Sequence, residues 1–86
     1  MASIEEVRAG IAQANEKANE SQGALQSAQS SLEQAQSELQ RITEGSSQAD
    51  VDEANNMLAQ AVSGIGDVLQ AVQAAIKASE GVASRL

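Results

Sequence analysis

Two carboxylates, Glu16 and Glu20, have the spacing in this chain that comes nearest to a chemical site. Side chains four residues apart lie on the same face of a helix, so both could contact one metal ion. Lys17 stands between them, and carboxylate metal sites in helical bundles pair glutamate with histidine, which the chain lacks. We therefore predict a solvated helix face here and no metal site.

The glycine pair Gly64 and Gly66 is a second candidate, because glycine-rich loops cradle phosphate groups. Such a loop follows a strand and ends in Lys followed by Ser or Thr. Here the pair lies inside an apolar helical pattern, and no lysine of that kind follows it. Close approach of two helices is the simpler interpretation of these glycines.

The composition removes most catalytic chemistry. The 86 residues include no histidine, cysteine, tyrosine, tryptophan, phenylalanine or proline. The usual general bases and nucleophiles are therefore missing, and disulfides and thiolate metal sites are excluded. We predict that the chain is not an enzyme, binds no cofactor and has no small-molecule substrate.

The charge balance argues against two classes of partner. The formal net charge is −7, whereas nucleic acids and anionic membrane surfaces are bound by faces rich in Lys and Arg. Glu5 and Glu6 stand where a secretory signal has basic residues, and Asp67 interrupts the least charged stretch. We predict no nucleic-acid binding, no membrane insertion, and a location that is either cytoplasmic or exported without a cleavable signal peptide.

An apolar seven-residue repeat runs through both halves of the chain and predicts two long helices. In the first half, twelve positions from Ile4 to Ile42 are spaced alternately three and four residues apart, with Ser21 as the polar exception. The second half keeps the same spacing over residues 51–86. A pattern this long is typical of helices that pack along one seam.

Capping signals set the predicted bounds of these helices. Ser3 and Glu6 form a capping-box pattern, Ser47 and Asp50 form a second one, and Gly45 stands where a left-handed helix cap is expected. We predict one domain over residues 1–86, with helix 1 at about 4–43, a turn at 44–47 and helix 2 at about 48–85. The fold class is all-α, an antiparallel two-helix hairpin that resembles a coiled coil.

The short turn determines which residues of the two helices are expected to meet. With a turn centred near residues 46 and 47, facing residues have numbers that sum to about 93, so large side chains meet alanines. The predicted hairpin seam consists of Leu25, Ala28, Leu32, Ala35, Leu39, Leu58, Ala61, Ile65 and Val68.

Helix 2 carries a second apolar row beside this seam. Val62, Leu69 and Ile76 form the row, with Met57 at its edge, and burial of each large aliphatic side chain stabilises by roughly 1.5–3 kcal/mol. We predict that these four residues dock a partner, either a second copy in a homodimeric four-helix bundle or another helical protein. The alternative is that the hairpin rotates until helix 1 covers this row too.

Four short segments resemble one actinobacterial family of small helical hairpins. They are SIEEVR at residues 3–8, EGSSQA at 44–49, VQAAI at 72–76 and ASRL at 83–86. Members of this family occur alone or as the N-terminal segment of polymorphic toxins, including deaminase toxins. The resemblance implies a trafficking or interaction module linked to type VII-like export, for which no cleavable signal is expected.

The chain differs from the better-known WXG-type hairpins of that export system. It has no Trp-x-Gly at the turn and no tyrosine-based C-terminal export signal, and deaminase activity is not implied. The functional hypothesis is a non-enzymatic protein–protein interaction module that self-associates or docks a partner helix. The alternative is an amphipathic structural protein without a link to secretion.

Overall fold

A computed structural model describes residues 3–44 and 49–86 of the chain. Helix α1 spans Ile4–Ile42 and helix α2 spans Ala49–Arg85. The two helices pack on each other as an antiparallel pair, which confirms the predicted all-α hairpin. The predicted cap at Gly45 and the capping residue Ser47 lie outside the described residues.

Helix α1 begins at a serine cap, as its sequence predicts. Ser3 has an extended backbone with φ −71° and ψ 164°, and its Oγ accepts a hydrogen bond from the Glu6 backbone N–H at 3.1 Å. Glu5 and Glu6 lie in the first turn, where the helix dipole favours negative charge. The cap satisfies one of the backbone donors that a helix start leaves without an intrahelical partner.

A threonine ends α1 one residue before the predicted boundary. The backbone N–H of Thr43 donates to the Leu39 carbonyl at 3.2 Å, and the Thr43 hydroxyl donates to the same oxygen. Arg41 lies in the last turn and pairs with Glu38 at 2.6 Å. A cation near a helix C-terminus is favoured by the dipole, and α2 repeats this arrangement with Arg85 in its last turn.

The hairpin is a thin rod. Its principal extents are 64 × 18 × 14 Å and its radius of gyration is 19.4 Å, against about 12 Å for a compact globule of this length. Among the described residues, Ile76 is the one that is buried. Two helices can cover each other along one side only, so most side chains of a single hairpin remain partly or wholly exposed.

Candidate interaction face

Helix α1 faces α2 with a row in which aliphatic and polar residues alternate. The half-buried residues of this row are spaced alternately four and three apart, which is the seven-residue period of a helix seam. They are Ile11, Asn15, Ala18, Gln22, Leu25, Gln29, Leu32, Gln36, Leu39 and, just past the helix end, Thr43. Every second interface position of α1 is therefore occupied by a polar side chain.

Helix α2 faces α1 with the same spacing and a more apolar row. Its members are Val51, Asn55, Leu58, Val62, Ile65, Leu69, Val72, Ile76, Ser79 and Ala83, all of them half-buried except the buried Ile76. Ile76 has 9% of its surface exposed. In the middle of the rod, α2 thus presents aliphatic side chains at both positions of the repeat.

The structure divides the predicted seam into two sets. Its leucines and its isoleucine lie in the helix–helix interface and are half-buried: Leu25, Leu32, Leu39, Leu58 and Ile65. Its remaining members point away from the interface and are exposed: Ala28, Ala35, Ala61 and Val68. Both helices are therefore rotated about their axes relative to the predicted arrangement.

The predicted docking row also lies elsewhere than expected. Val62, Leu69 and Ile76 face α1 within the same chain, and Met57 alone of the four is an outward residue, with 63% of its surface exposed. This is the alternative arrangement, in which helix 1 covers the second row. The physical reason is size: Val62, Leu69 and Ile76 remove more apolar surface from water than the Ala-rich row that faces out.

The side chain of Gln29 in α1 lies against this second row at Val62. The Gln29 Nε2 atom donates to the Val62 backbone carbonyl at 3.3 Å, and a Cβ built on Gly66 would lie 3.7 Å from the same nitrogen. The long stem of glutamine packs on apolar surface while its amide finds a polar partner. The two bonded residues have numbers that sum to 91, close to the predicted sum of about 93.

Asn55 is the polar residue that fits the interface least well. Its Oδ1 atom is buried and has no hydrogen-bond partner within the described part of the chain. A buried polar atom without a partner destabilises by about 1–3 kcal/mol. Asn55 therefore weakens the end of the interface that lies near the turn.

An uncharged row of mainly small residues faces outward on both helices. Its members recur every seven residues, and we call this surface the alanine–valine face. It consists of Val7, Ala14, Ser21, Ala28, Ala35 and Ile42 in α1, and of Ala54, Ala61, Val68, Ala75 and Val82 in α2. All are exposed except the half-buried Ala54, and Val68 and Val82 expose 47% and 42% of their surface.

The two rows lie on the same side of the hairpin. Each row flanks its helix's interface row at the same position of the seven-residue repeat. Antiparallel helices are related by a two-fold axis perpendicular to the plane that contains them, which keeps equivalent flanking rows on one side of that plane. Met57, Gly64, Ala71 and Ala78 continue the face in α2 and are exposed and uncharged. The rows together form a mainly apolar surface along the rod, with Ser21 as its polar member and Lys17 and Glu38 at its α1 edge.

The opposite side of the hairpin is polar. A shallow groove there, about 320 Å³ in volume, runs between the helices and is lined by Asn19, Gln22, Gln73, Ile76, Lys77 and Glu80. Glu33 and Asp52 are exposed at equivalent repeat positions on this side. The hairpin is thus two-sided, with aliphatic side chains on one surface and amides and carboxylates on the other.

The carboxylates considered for metal binding do not gather into a site. Glu20 pairs with Lys17 at 3.4 Å, and both side chains are exposed. Within residues 3–44 and 49–86, no three side chains of His, Cys, Asp or Glu lie close enough together to hold a metal ion. The surface of interest in this molecule is therefore the alanine–valine face.

Comparison with protein-family models, with curated proteins and with solved structures finds no match to this chain. None of the described helices is both long and apolar enough to cross a membrane. The geometry of the hairpin, above all its alanine–valine face, is therefore the main guide to what the chain binds.

Proposed function

We propose that this chain is a non-enzymatic protein–protein interaction module that self-associates or docks a partner helix. The observation that supports this most directly is the alanine–valine face, because it exposes apolar side chains along the whole rod while a polar surface lies opposite. Continuous apolar patches of this kind on a protein surface mark sites of association.

The thinness of the interior supports the same proposal. Ile76 is the one buried residue among those described, and Asn55 and several glutamines occupy interface positions. Small domains with so little buried apolar surface usually gain stability from a disulfide, a metal or another chain. The chain has no cysteine, so association is the route that its own residues favour.

We further propose that the module serves trafficking, as a leader of a toxin or of a type VII-like export system. The support is the resemblance of residues 3–8, 44–49, 72–76 and 83–86 to the actinobacterial hairpin family. This part of the proposal predicts that a neighbouring gene encodes a toxin or a secretion component. A genomic neighbourhood with neither would contradict it and would favour an amphipathic structural protein.

The interaction proposal is tested by measuring mass in solution and binding to the neighbouring gene products. We expect light scattering at several concentrations to show a mass above 8.8 kDa, or co-expression to yield a stable complex with one neighbouring helical protein. Protein concentration must be measured at the peptide bond, because the chain has no aromatic residue. A monomer at every concentration that also binds none of these products would contradict the proposal.

A further inference from the structure

We propose that the alanine–valine face binds the same face of a second copy of this chain, with the two turn ends at opposite ends of the dimer. This inference rests on the proposed function and specifies its partner, its surface and its geometry. Three features of the hairpin support it: the area of the face, the distribution of charge along the rod, and the fit of α2 to itself.

The area of the face matches what a stable dimer needs. The rod measures 64 Å by 18 Å in outline, so one side offers on the order of 1,000 Å², against roughly 800 Å² per partner in a standard interface. A helix pair of equal length can cover the whole of such a narrow and long surface. A second copy of the hairpin has that length and the same seven-residue period.

Charge is distributed unevenly along the rod. The turn end carries five acidic side chains and one arginine, a net charge of −4: Glu38, Arg41, Glu44, Asp50, Asp52 and Glu53. The open end carries three acidic and three basic side chains and is neutral: Glu5, Glu6, Arg8, Lys77, Glu80 and Arg85. Placing two turn ends together would concentrate like charge, whereas the opposite-end arrangement brings each acidic end beside a neutral one that includes three cations.

The α2 half of the face places no charge in the contact, and the α1 half has Lys17 and Glu38 at its outer edge. From Ala54 to Val82 of α2, the positions on the alanine–valine face are Ala, Val, Met and Gly. Glu33, Asp52 and Glu80 lie on the polar side, so a face-to-face dimer keeps them on its outer surfaces. The chain's net charge of −7 therefore opposes this association less than an even distribution of charge would.

Helix α2 fits an antiparallel copy of itself. When two α2 helices cross about a two-fold axis near Ala71, Val68 lies opposite Ala75 of the second copy and Ala61 lies opposite Val82. Each large side chain then meets a small one, which lets the helices approach closely and pack without voids. If the turn ends lay together, α2 would instead cross α1 of the second copy, and Ala71 would lie near Ala24.

Cysteine crosslinking distinguishes these arrangements, because the chain has no cysteine of its own. We expect Ala71→Cys to form a disulfide-linked dimer on mild oxidation, since residues at the axis come within the Cα separation that a disulfide spans. The matched control is Gln73→Cys, which is two residues away, also exposed, and on the polar side of the hairpin. At ~10 µM chain, the millimolar effective concentration across the axis should make Ala71→Cys crosslink about 100-fold faster than the control.

Three results would overturn the inference. They are equal crosslinking of Ala71→Cys and Gln73→Cys, no crosslinking of Ala71→Cys, and preferential crosslinking between Ala24→Cys and Ala71→Cys chains in a mixture. Light scattering of the unmodified chain distinguishes a failure of this dimer from a failure of the proposed interaction function. A monomer that binds a different helical protein would overturn this inference and leave the proposed function standing, whereas a monomer that binds nothing would remove both.

Discussion

Helices α1 and α2 use the same seven-residue positions to face each other and fill them with different chemistry. In the middle of the rod, α2 offers aliphatic residues at both positions of each repeat, such as Leu58 and Val62, whereas α1 alternates leucine with glutamine, as at Leu25 and Gln29. The helix with the wider apolar surface, α2, therefore determines how the two helices are turned about their own axes. The helix with the narrower surface supplies amphipathic side chains to cover it.

This difference shows that, of two neighbouring rows on α2, the row with the larger apolar side chains is the one that packs against α1. The row of Val62, Leu69 and Ile76 has larger side chains than the row of Ala61, Val68 and Ala75. Burying the larger row removes more apolar surface from water, even though α1 must turn its alanines outward to do so. The outward alanines then leave a surface on which another helix pair can approach closely.

The largest expected effect comes from shortening the most buried residue of α2. Ile76→Ala should lower the free energy of unfolding by about 2–4 kcal/mol, because it removes buried methyl groups and leaves a gap. Ile4→Ala is the matched control: 55% of Ile4 is exposed and it lies outside the alanine–valine face, so the expected change is within about 0.5 kcal/mol. Urea unfolding followed by circular dichroism at one fixed protein concentration measures both, and equal losses would contradict the assigned rotation.

Replacing the ill-fitting polar residue of α2 should have the next largest effect. Asn55→Leu should raise the free energy of unfolding by about 1–3 kcal/mol, because it removes a buried oxygen that has no partner among the described residues. Asn56→Leu, at the exposed neighbouring position, should leave stability nearly unchanged. The thermal midpoint reports both, and a loss of stability in Asn55→Leu would mean that the amide is satisfied.

Making α1 as apolar as α2 is the direct way to remove the difference between them. Gln29→Leu should stabilise the hairpin by about 1 kcal/mol, since partial burial of leucine outweighs the 3.3 Å hydrogen bond to the Val62 carbonyl. Gln26→Leu, exposed one turn away, serves as the control. If chemical denaturation showed Gln29→Leu to be destabilised, the hydrogen bond would be the stronger contribution.

The smallest effect concerns the end of α1 rather than its side. Ser3→Ala removes the Oγ that accepts from the Glu6 N–H, which should cost about 0.5–1 kcal/mol. Ser30→Ala, at an exposed position inside the helix, should not destabilise, because alanine has the higher helix propensity. Amide hydrogen exchange should show faster exchange confined to the first turn in Ser3→Ala, and no change there would contradict the cap.

Part of the candidate site could be predicted from the sequence and part could not. The apolar repeat identifies Leu25, Leu32 and Ile65 as interface residues because they stay on the interface in either rotation. It misplaces Ala28 and Val62, because both lie beside the row that contains Leu25, Leu32 and Ile65. Ala28 flanks this row on one side and Val62 flanks it on the other. The missed signal is the size of the side chains: summing the apolar area of each row would have favoured burial of Val62, Leu69 and Ile76.

The sequence by itself determined two helices, their approximate ends and their antiparallel pairing. Period, absence of proline and local caps are properties of neighbouring residues, so they can be evaluated before any packing is known. Only the tertiary structure decided how each helix is turned about its axis. The rotation depends on how much apolar surface each helix buries against the side chains of the other. A pattern of polar and apolar residues misses part of this, because it scores glutamine as polar although its aliphatic stem can cover apolar surface.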